Sequence, residues 1–245
     1  MSLPVFFGPV AGVSEGDTVE VDGEEARHAV VVRRTTVGES LVLVDGRGTA
    51  ASCEVTATTK STLTAVVRSV TFADRPSPSV TVVQAIPKGD RAELAVEVLT
   101  EVGVDTIVPW AATRSVGVWR GERARKSLAK WRATAREAAK QARRSWVPEV
   151  TEPASLSDVV ARMAEVDLAL VLHESATAPL AEQSLTGVRS LLVVVGPEGG
   201  ITDEELAAFE EAAADVVRLG DTVLRTSTAG VAAVAALLAR TSRWS

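Results

Sequence analysis

The run Leu191-Leu192-Val193-Val194-Val195-Gly196-Pro197-Glu198-Gly199-Gly200 combines two signals that together indicate the fold class of this chain. Its apolar half predicts a strand buried on both faces, as in a parallel sheet covered by helices. Its glycine half predicts the turn from that strand into a helix, because glycines allow the backbone to bend and to approach other groups closely. Loops at this position are where α/β proteins bind small ligands.

A second loop of the same kind covers residues 219–229, directly before a run of small residues at 230–239. Neither loop matches a dinucleotide or P-loop fingerprint. Within the second loop, Arg225 has no obvious structural task, so it is a candidate for holding a carboxylate, a phosphate or a developing anion. One of the three hydroxyl residues after it can cap the following helix.

The composition limits the class of protein. The chain has 245 residues, 46% of them hydrophobic, which suffices for the core of one large domain or two smaller ones. Cys53 is the single cysteine, so no internal disulfide is expected, and the two histidines do not form a metal-binding pattern. The N-terminus does not resemble a signal peptide, and no apolar run reaches the roughly 18 residues of a membrane span. We therefore expect a soluble, cytoplasmic protein without a metal.

The charges are distributed unevenly. The net charge of the chain is −6, yet residues 114–144 hold 11 Lys and Arg residues and two acids, a local net charge of +9. A concentrated basic segment in an acidic protein is the pattern expected for binding a phosphate backbone. The alternative is a solvated helix face, which is the usual explanation of a charge run on its own.

Residues 1–73 predict a small β-barrel or sandwich. The β-branched runs at 19–21, 40–44, 52–55 and 63–70 are separated by turn residues, and Asp45-Gly46-Arg47-Gly48 is a hairpin-type signal. Two prolines among serines then mark residues 74–79 as a linker. The remaining residues, 80–245, form the second predicted domain.

In the second domain, the sequence pattern predicts strands that alternate with helices. Strands are expected at 80–86, 106–109, 164–172, 191–195 and 216–219. Asp90 is a candidate cap for a helix that ends at Gly103 and buries Leu94, Ala95, Val98, Leu99 and Val102. A long helix is expected at 122–144, another at 203–214 with a capping box of Thr202 and Glu205, and a last one at about 228–240.

Several motifs in this order resemble one family over nearly the whole chain. They are Arg27-His28-Ala29-Val30-Val31-Val32-Arg33-Arg34, Gly46-Arg47-Gly48, Pro87-Lys88-Gly89-Asp90-Arg91, Glu137-Ala138-Ala139-Lys140-Gln141-Ala142-Arg143-Arg144, Leu172-His173-Glu174 and the two glycine-bearing loops. Together they resemble the small-subunit rRNA uridine-N3 methyltransferase family (RsmE), in the SPOUT class of trefoil-knotted methyltransferases. The resemblance implies an α/β fold, a knotted SPOUT methyltransferase domain preceded by a PUA-like β-barrel domain.

The resemblance also implies S-adenosyl-L-methionine as the cofactor and a homodimer with the cofactor pocket at the subunit interface. The implied cofactor-binding residues are Leu172, His173, Glu174, Gly196, Pro197, Glu198, Gly199, Gly200, Leu219, Gly220, Leu224, Thr226, Ser227 and Ala229. The small-residue helix after them is a possible dimer contact, and a buried core helix is an equally good interpretation. Two departures matter: Ser227 stands where the family usually has a glutamate, and Val98 stands where it often has a lysine.

The implied partner is small-subunit (16S) ribosomal RNA, free or in the assembled 30S subunit, with no membrane. The candidate RNA-binding residues are Arg27, Arg33, Arg34, Lys88, Arg91, Arg114, Arg120, Lys140, Arg143 and Arg144. For Arg33 and Arg34 a solvated strand end is as good an interpretation. Trp119 and Trp146 are candidates to stack on bases. Trp131 lies on the apolar helix face, where a core position explains it better.

Arg225 is the predicted catalytic residue, because the imide proton at N3 of uridine must leave and the resulting charge spreads to the flanking carbonyl oxygens. Glu198 is open as a base or as a structural loop residue. Two other functions stay open at this point. Loss of the family glutamate at Ser227 suggests an RNA-binding ribosome assembly factor without full catalysis. A ribose 2′-O-methyltransferase of the same knotted class is the other.

Overall fold

The computed structural model describes residues 3–89, 91–117 and 119–244 and divides into two compact units. The first unit runs to Arg75 and also includes Ala139–Val147, and the second consists of Pro76–Ala138 and the chain from Pro148 onward. The sequence pattern assigns residues 139–147 to the second domain instead. They group with the first because the Ser145 carbonyl accepts the Gly48 N–H at 2.9 Å and the Trp146 indole donates to the Ala73 carbonyl at 2.7 Å.

The first unit is built on one five-stranded sheet. Its elements are β1 (Val5–Phe7), β2 (Thr18–Asp22), α1 (Gly23–Arg27) with a π-helical turn at His28–Val32, β3 (Ser40–Val44), β4 (Thr49–Thr58) and β5 (Thr62–Phe72). The strand order is β1-β3-β4-β5-β2, and all pairs are antiparallel except β1 with β3. The four predicted strands are confirmed. The sequence did not predict β1 or α1.

The second unit is a six-stranded parallel sheet with helices on both faces. Its strands are β6 (Ser79–Ala85), β7 (Thr106–Trp110), β8 (Glu149–Val150), β9 (Leu168–Leu172), β10 (Ser190–Val195) and β11 (Asp215–Val217), in the order β11-β9-β10-β6-β7-β8. Its helices are α2 (Arg91–Val102), α3 (Gly121–Gln141, whose last turn belongs to the first unit), α4 (Leu156–Met163), α5 (Asp203–Glu211) and α6 (Thr226–Leu238). None of the helices in the described ranges could cross a bilayer, judged by length and apolarity.

Both faces of the central strand β10 are covered by other residues, which explains its continuously apolar sequence. Leu191 and Val193 pack into the hydrophobic cluster that includes residues of α2, α3 and α6. Leu192 and Val194 face the opposite way, into the cluster that includes residues of α4 and α5. Both faces of the sheet are therefore buried, as the sequence predicted.

Two details differ from the sequence-based expectations. The buried apolar residues of α2 are Ala92, Ala95, Val96, Leu99 and Val102, whereas Leu94 is 41% exposed. Leu94 lies off the face of α2 that joins the hydrophobic cluster with residues of α6. The predicted cap Asp90 lies outside the described residues. The prediction for α3 ran three residues too far, since Arg143 is left-handed (φ 56°) and the Arg144 N–H closes the helix end on the Ala139 carbonyl.

The sequence analysis missed α4 entirely. Its signal was present, because Ser155 and Asp158 form a reciprocal capping box at its start. At the end of α2, Gly103 has a positive φ of 106° and terminates the helix as predicted. The knotted path of the chain stays a prediction.

Candidate active site

A cavity of about 900 Å³ opens in the second unit at the carboxyl ends of the parallel strands. Small-molecule sites have volumes of about 300–1,000 Å³. The loops after β9, β10 and β11 meet here because parallel strands end at the same edge of a sheet. All fourteen predicted cofactor-binding residues line the cavity, together with Arg225 and the predicted RNA-binding residues Lys88, Arg91 and Arg114. Whether these residues bind a cofactor stays a prediction.

The glycines of the loop after β10 serve different purposes. A Cβ on Gly196 would lie 2.8 Å from the Ile201 side chain, and a Cβ on Gly199 would lie 2.9 Å from the Arg114 Cβ. Gly200 instead needs its left-handed backbone, with φ of 77°. The loop is thus pressed against neighbouring protein, and it carries Pro197 and Glu198 to the cavity wall.

The loop after β11 leaves its backbone available to a ligand. Within the described chain, no backbone N–H of residues 219–227 donates a hydrogen bond to another protein group. At Gly220, a Cβ would find no atom within 4 Å. Open space beside exposed N–H and C=O groups suits a ligand that is recognised by the backbone rather than by side chains.

Arg225 is an uncommitted cation at the edge of this cavity. It is the N-cap residue of α6, and its side chain forms no ion pair or hydrogen bond to another described residue. Arg218, which also lines the cavity, is paired with Asp221 at 3.3 Å. Of these two arginines, Arg225 is therefore the one free to bind an incoming anion.

The prediction that a hydroxyl caps α6 is wrong. The cap is Arg225, without a side-chain hydrogen bond, and Thr226 and Ser227 lie inside the first turn. Ser227 is 2% exposed, and its Oγ has no hydrogen-bond partner among the described residues. Leaving such a group unpaired costs about 1–3 kcal/mol, so the wall of the cavity carries an unused polar atom at the position of the family glutamate.

Glu198 is engaged in holding two loops together. Its Oε1 accepts the Lys88 N–H at 3.2 Å, which links the loop after β10 to the loop after β6. Beside it, the Arg114 guanidinium donates to the Gly199 carbonyl at 3.3 Å. Of the two interpretations left open by the sequence, the contacts favour a structural role for Glu198.

Glu205 extends this support beneath the cavity. One carboxylate oxygen accepts the Thr202 N–H at 2.9 Å, which confirms the predicted capping box, and the other accepts the Thr113 N–H at 2.7 Å. Burial acts to raise the pKa of Glu205, but the hydrogen bonds from Thr113 and Thr202 outweigh it, and the pKa lies below its usual value. The bond to Thr113 joins residues 92 positions apart, so local sequence contained no signal for it.

His173 is held at the cavity wall by Ser175. Its Nδ1 accepts the Ser175 N–H at 3.3 Å and lies 2.8 Å from the Ser175 hydroxyl. These two contacts orient the imidazole ring beside the cavity.

The predicted RNA-binding residues outside the cavity separate into two groups. Arg27, Arg33, Arg34, Arg120 and Arg143 are exposed, and Arg144 is partly exposed. For Lys140 the prediction is wrong: its side chain is 3% exposed and forms an ion pair with Glu25 at 3.0 Å. A phosphate could reach Lys140 only by displacing that carboxylate. Trp131 is 1% exposed and belongs to the core, as expected.

Sequence reasoning also missed part of the cavity wall. Val116 and Val223 line the cavity and are 56% and 77% exposed, respectively. Ile201, Asp203 and Arg218 lie there as well. Val223 lies inside the second predicted loop, and Ile201 and Arg218 directly adjoin the two loops.

Comparison with known proteins places the fold and the site in a class. A family described as an RNA methyltransferase domain matches residues 75–238, and one described as an RNA methyltransferase PUA domain matches residues 21–68. The crystal structure of a ribosomal RNA small subunit methyltransferase E from Neisseria gonorrhoeae bound to S-adenosyl methionine has a TM-score of 0.86, with 29% identity and 98% coverage of both chains. The α/β domain and the PUA-like domain are therefore those of an RNA methyltransferase.

Curated relatives show which family of RNA methyltransferases the chain resembles. The ribosomal RNA small subunit methyltransferase E of Mycobacterium bovis is 46% identical over 94% of this chain and 89% of its own length. The protein of the same name from Bacillus subtilis is 32% identical over 92% of this chain and 91% of its own length. This chain belongs to the ribosomal RNA small subunit methyltransferase E family.

Proposed function

We propose that the protein transfers a methyl group from S-adenosyl-L-methionine to N3 of a uridine in small-subunit (16S) ribosomal RNA. The observation that carries this proposal is the set of unpaired backbone N–H groups of residues 219–227 beside the unpaired Arg225, in one cavity of about 900 Å³. The names of the relatives support the RNA class. The choice of N3 of uridine rests on the resemblance of the two loops to the uridine-methylating family.

The cavity fits S-adenosyl-L-methionine by its size and its chemistry. The backbone at Gly220 is open, and the loop around it offers N–H and C=O groups in both directions, which suits recognition of an adenine edge. The residues that would hold the cofactor are those of 172–174, 196–200 and 219–224. When bound, it supplies an electrophilic methyl group on its sulfonium, so the reaction itself needs no metal.

Arg225 acts on the nucleotide in this proposal. The imide proton at N3 must leave before or during methylation, and the resulting charge spreads over the two flanking carbonyl oxygens. A guanidinium at that place stabilises the charge where it develops, which is the largest contribution to catalysis in many enzymes. Since N3 lies on the Watson–Crick edge, the uridine has to be unpaired or flipped out to reach Arg225.

Cations around the cavity mouth would position the RNA. Lys88, Arg91 and Arg114 line the opening and are exposed, so they can approach phosphates next to the flipped nucleotide. The exposed arginines of the first unit, Arg33 and Arg34 among them, would extend the contact to a structured RNA. Phosphate contacts set the position and do not by themselves select the sequence.

We further propose a cytoplasmic homodimer. The inner side of α6 is committed to the core, since a Cβ on Gly230 would lie 3.0 Å from Leu99 and 3.2 Å from Val195. A dimer contact would therefore use the outer side of α6 and the exposed apolar Val223 and Val116 near the cavity. Sedimentation would give a monomer if this part of the proposal is wrong.

Calorimetry and nucleoside analysis test the proposed function. Titration with S-adenosyl-L-methionine should show binding, and absence of binding with or without RNA would favour the assembly-factor alternative. Mass spectrometry of nucleosides from small-subunit rRNA should show that N3-methyluridine is lost in a deletion strain and restored by the gene. Loss of a ribose methylation in its place would favour the 2′-O-methyltransferase.

A further inference from the structure

An exposed aromatic cluster lies on the first unit, at the end of β5. Phe72, the last residue of that strand, is 66% exposed. Its ring contacts the Trp146 ring edge to face, with centroids 6.2 Å apart and planes at 80°. The Arg75 guanidinium lies over the same indole, 4.2 Å from its centroid. We call Phe72, Trp146 and Arg75 together the Phe72 platform.

The platform is held rigidly from below. The Trp146 indole N–H donates to the Ala73 carbonyl at 2.7 Å. The ring also lies against Gly48, where a Cβ would be 2.8 Å from a ring carbon. The turn that contains Gly48 is fixed in its own right, because an Asp45 carboxylate oxygen accepts the N–H groups of Arg47 at 2.7 Å and Thr49 at 3.0 Å. The tryptophan and the arginine that stacks on it are therefore positioned before any partner binds.

The exposure of Phe72 has no explanation within the described chain. β2 pairs with β5 as far as Val66, and Val67 bonds to Gly16 and Asp17 just before β2, so residues 68–72 extend past β2 along an open edge of the sheet. A single exposed apolar side chain would need no explanation. Phe72 is not isolated, however, since it lies among a fixed indole, Arg75 and the exposed Arg47, whose backbone bridges to Trp146.

We propose that the Phe72 platform stacks on an unpaired base of the RNA substrate, while Arg47 and Arg75 neutralise the phosphates beside that base. Every base has a π-face, and aromatic side chains next to arginines are the combination that binds single-stranded nucleic acid. The exposed guanidinium groups of Arg47 and Arg75 beside the aromatic rings are the charge that a phosphate backbone complements. The identity of the RNA as the substrate rests on the proposed function.

The test is the affinity of the full-length protein for a fluorescent oligouridylate of about 12 nucleotides, a strand whose bases are not stacked on one another. The change Phe72→Ala should weaken binding by about 5- to 150-fold, the loss expected for one stacked base. Phe72→Trp should retain the affinity of the original protein. Val70→Ala, a matched control on the same strand with a side chain 37% exposed, should have no effect.

The salt dependence separates stacking from phosphate contacts. Phe72→Ala should leave the slope of log Kd against log salt unchanged, whereas Arg47→Ala should reduce it by about one. Binding of an RNA duplex of equal length should not respond to Phe72→Ala, since its bases are not available to stack. Thermal denaturation of each variant checks that it is folded.

Three outcomes would overturn the proposal. The first is equal oligouridylate affinity for Phe72→Ala and Val70→Ala. The second is an equal loss on single strand and duplex. The third is a loss on assembled subunits but not on naked RNA, which would assign the platform to a protein. Methyl transfer by the unmodified protein is measured separately, so its absence contradicts the proposed function without deciding the platform.

Discussion

Two glycines in this molecule, Gly48 in the first unit and Gly220 in the second, occupy loops that look alike in sequence and differ in what fills the space beside them. At Gly48 a Cβ would lie 2.8 Å from the Trp146 ring and from the Ala73 carbonyl. At Gly220 it would find no atom within 4 Å. The first glycine makes room for the protein itself, whereas the second leaves room for something else. A glycine in a loop is therefore not by itself a sign of a ligand site. At Gly220 the sign is the combination of open space with a position on the cavity wall.

The largest effect is expected at the side chain beside the open loop. Arg225→Ala should lower turnover by about 100- to 1,000-fold, the usual loss when one donor to a developing oxyanion is removed. The affinity for S-adenosyl-L-methionine should change little, because the loop backbone is what we propose to bind it. Steady-state kinetics and calorimetry measure the two quantities. Arg68→Ala, which removes an exposed arginine paired with Glu54, is the control. Equal losses of turnover and cofactor affinity would place Arg225 in binding.

Substitutions of the two glycines test the comparison directly. Gly48→Ala should lower the free energy of unfolding by about 2–4 kcal/mol, since it combines a positive φ of 105° with a clash against Trp146. Gly220→Val should change that free energy by less than about 0.5 kcal/mol, as for other exposed sites, and weaken cofactor binding instead. Denaturant unfolding of both variants measures the free energy of unfolding, and calorimetry measures their affinity for the cofactor. The reverse pattern would show that the distinction between the two loops is wrong.

A smaller, pH-dependent effect is expected from the carboxylate beneath the cavity. Glu205→Gln should lower the free energy of unfolding by about 1–3 kcal/mol at pH 7, because an amide cannot accept both backbone N–H groups as a carboxylate does. The pKa of Glu205 is lower in the folded chain than in the unfolded one, so its contribution is complete above the unfolded value of about 4.3 and is lost as pH falls through the folded value. The difference between the two proteins should therefore disappear in acid. A difference that is constant from pH 7 to the acid limit would contradict this account.

Local sequence patterns predicted the strands and helices whose buried residues recur at regular spacing. The continuous apolar run of β10 and the β-branched runs of the first unit indicated strands at the right places. The capping box at Thr202 and the glycine at 103 marked helix ends correctly. The ordered motifs picked out fourteen cofactor-binding candidates from separate stretches of the chain, and all of them line one cavity. Patterns succeeded where one residue type has one dominant structural use.

The errors occurred where a distant residue determines the role of a local one. Lys140 was expected to bind RNA as part of a basic stretch. In the structure its side chain is buried and forms an ion pair with Glu25, which is far from it in sequence. Residues 139–147 were expected in the second domain, but their hydrogen bonds group them with the first unit. Leu94 was expected on the buried face of α2, but it is 41% exposed. A charged or an apolar residue looks the same in the sequence whether its side chain is buried or exposed.

The sequence by itself determined the parallel α/β architecture, the basic segment and the two loops that carry the site. The spacing of apolar residues and the glycines that mark turns are local properties of a chain, so they are visible in the order of its residues. Only the tertiary structure decided that Arg225 is unpaired, that the Ser227 hydroxyl is buried without a partner and that Gly220 faces open space. These depend on what other parts of the chain bring to within a few ångströms, and local sequence does not encode those distances.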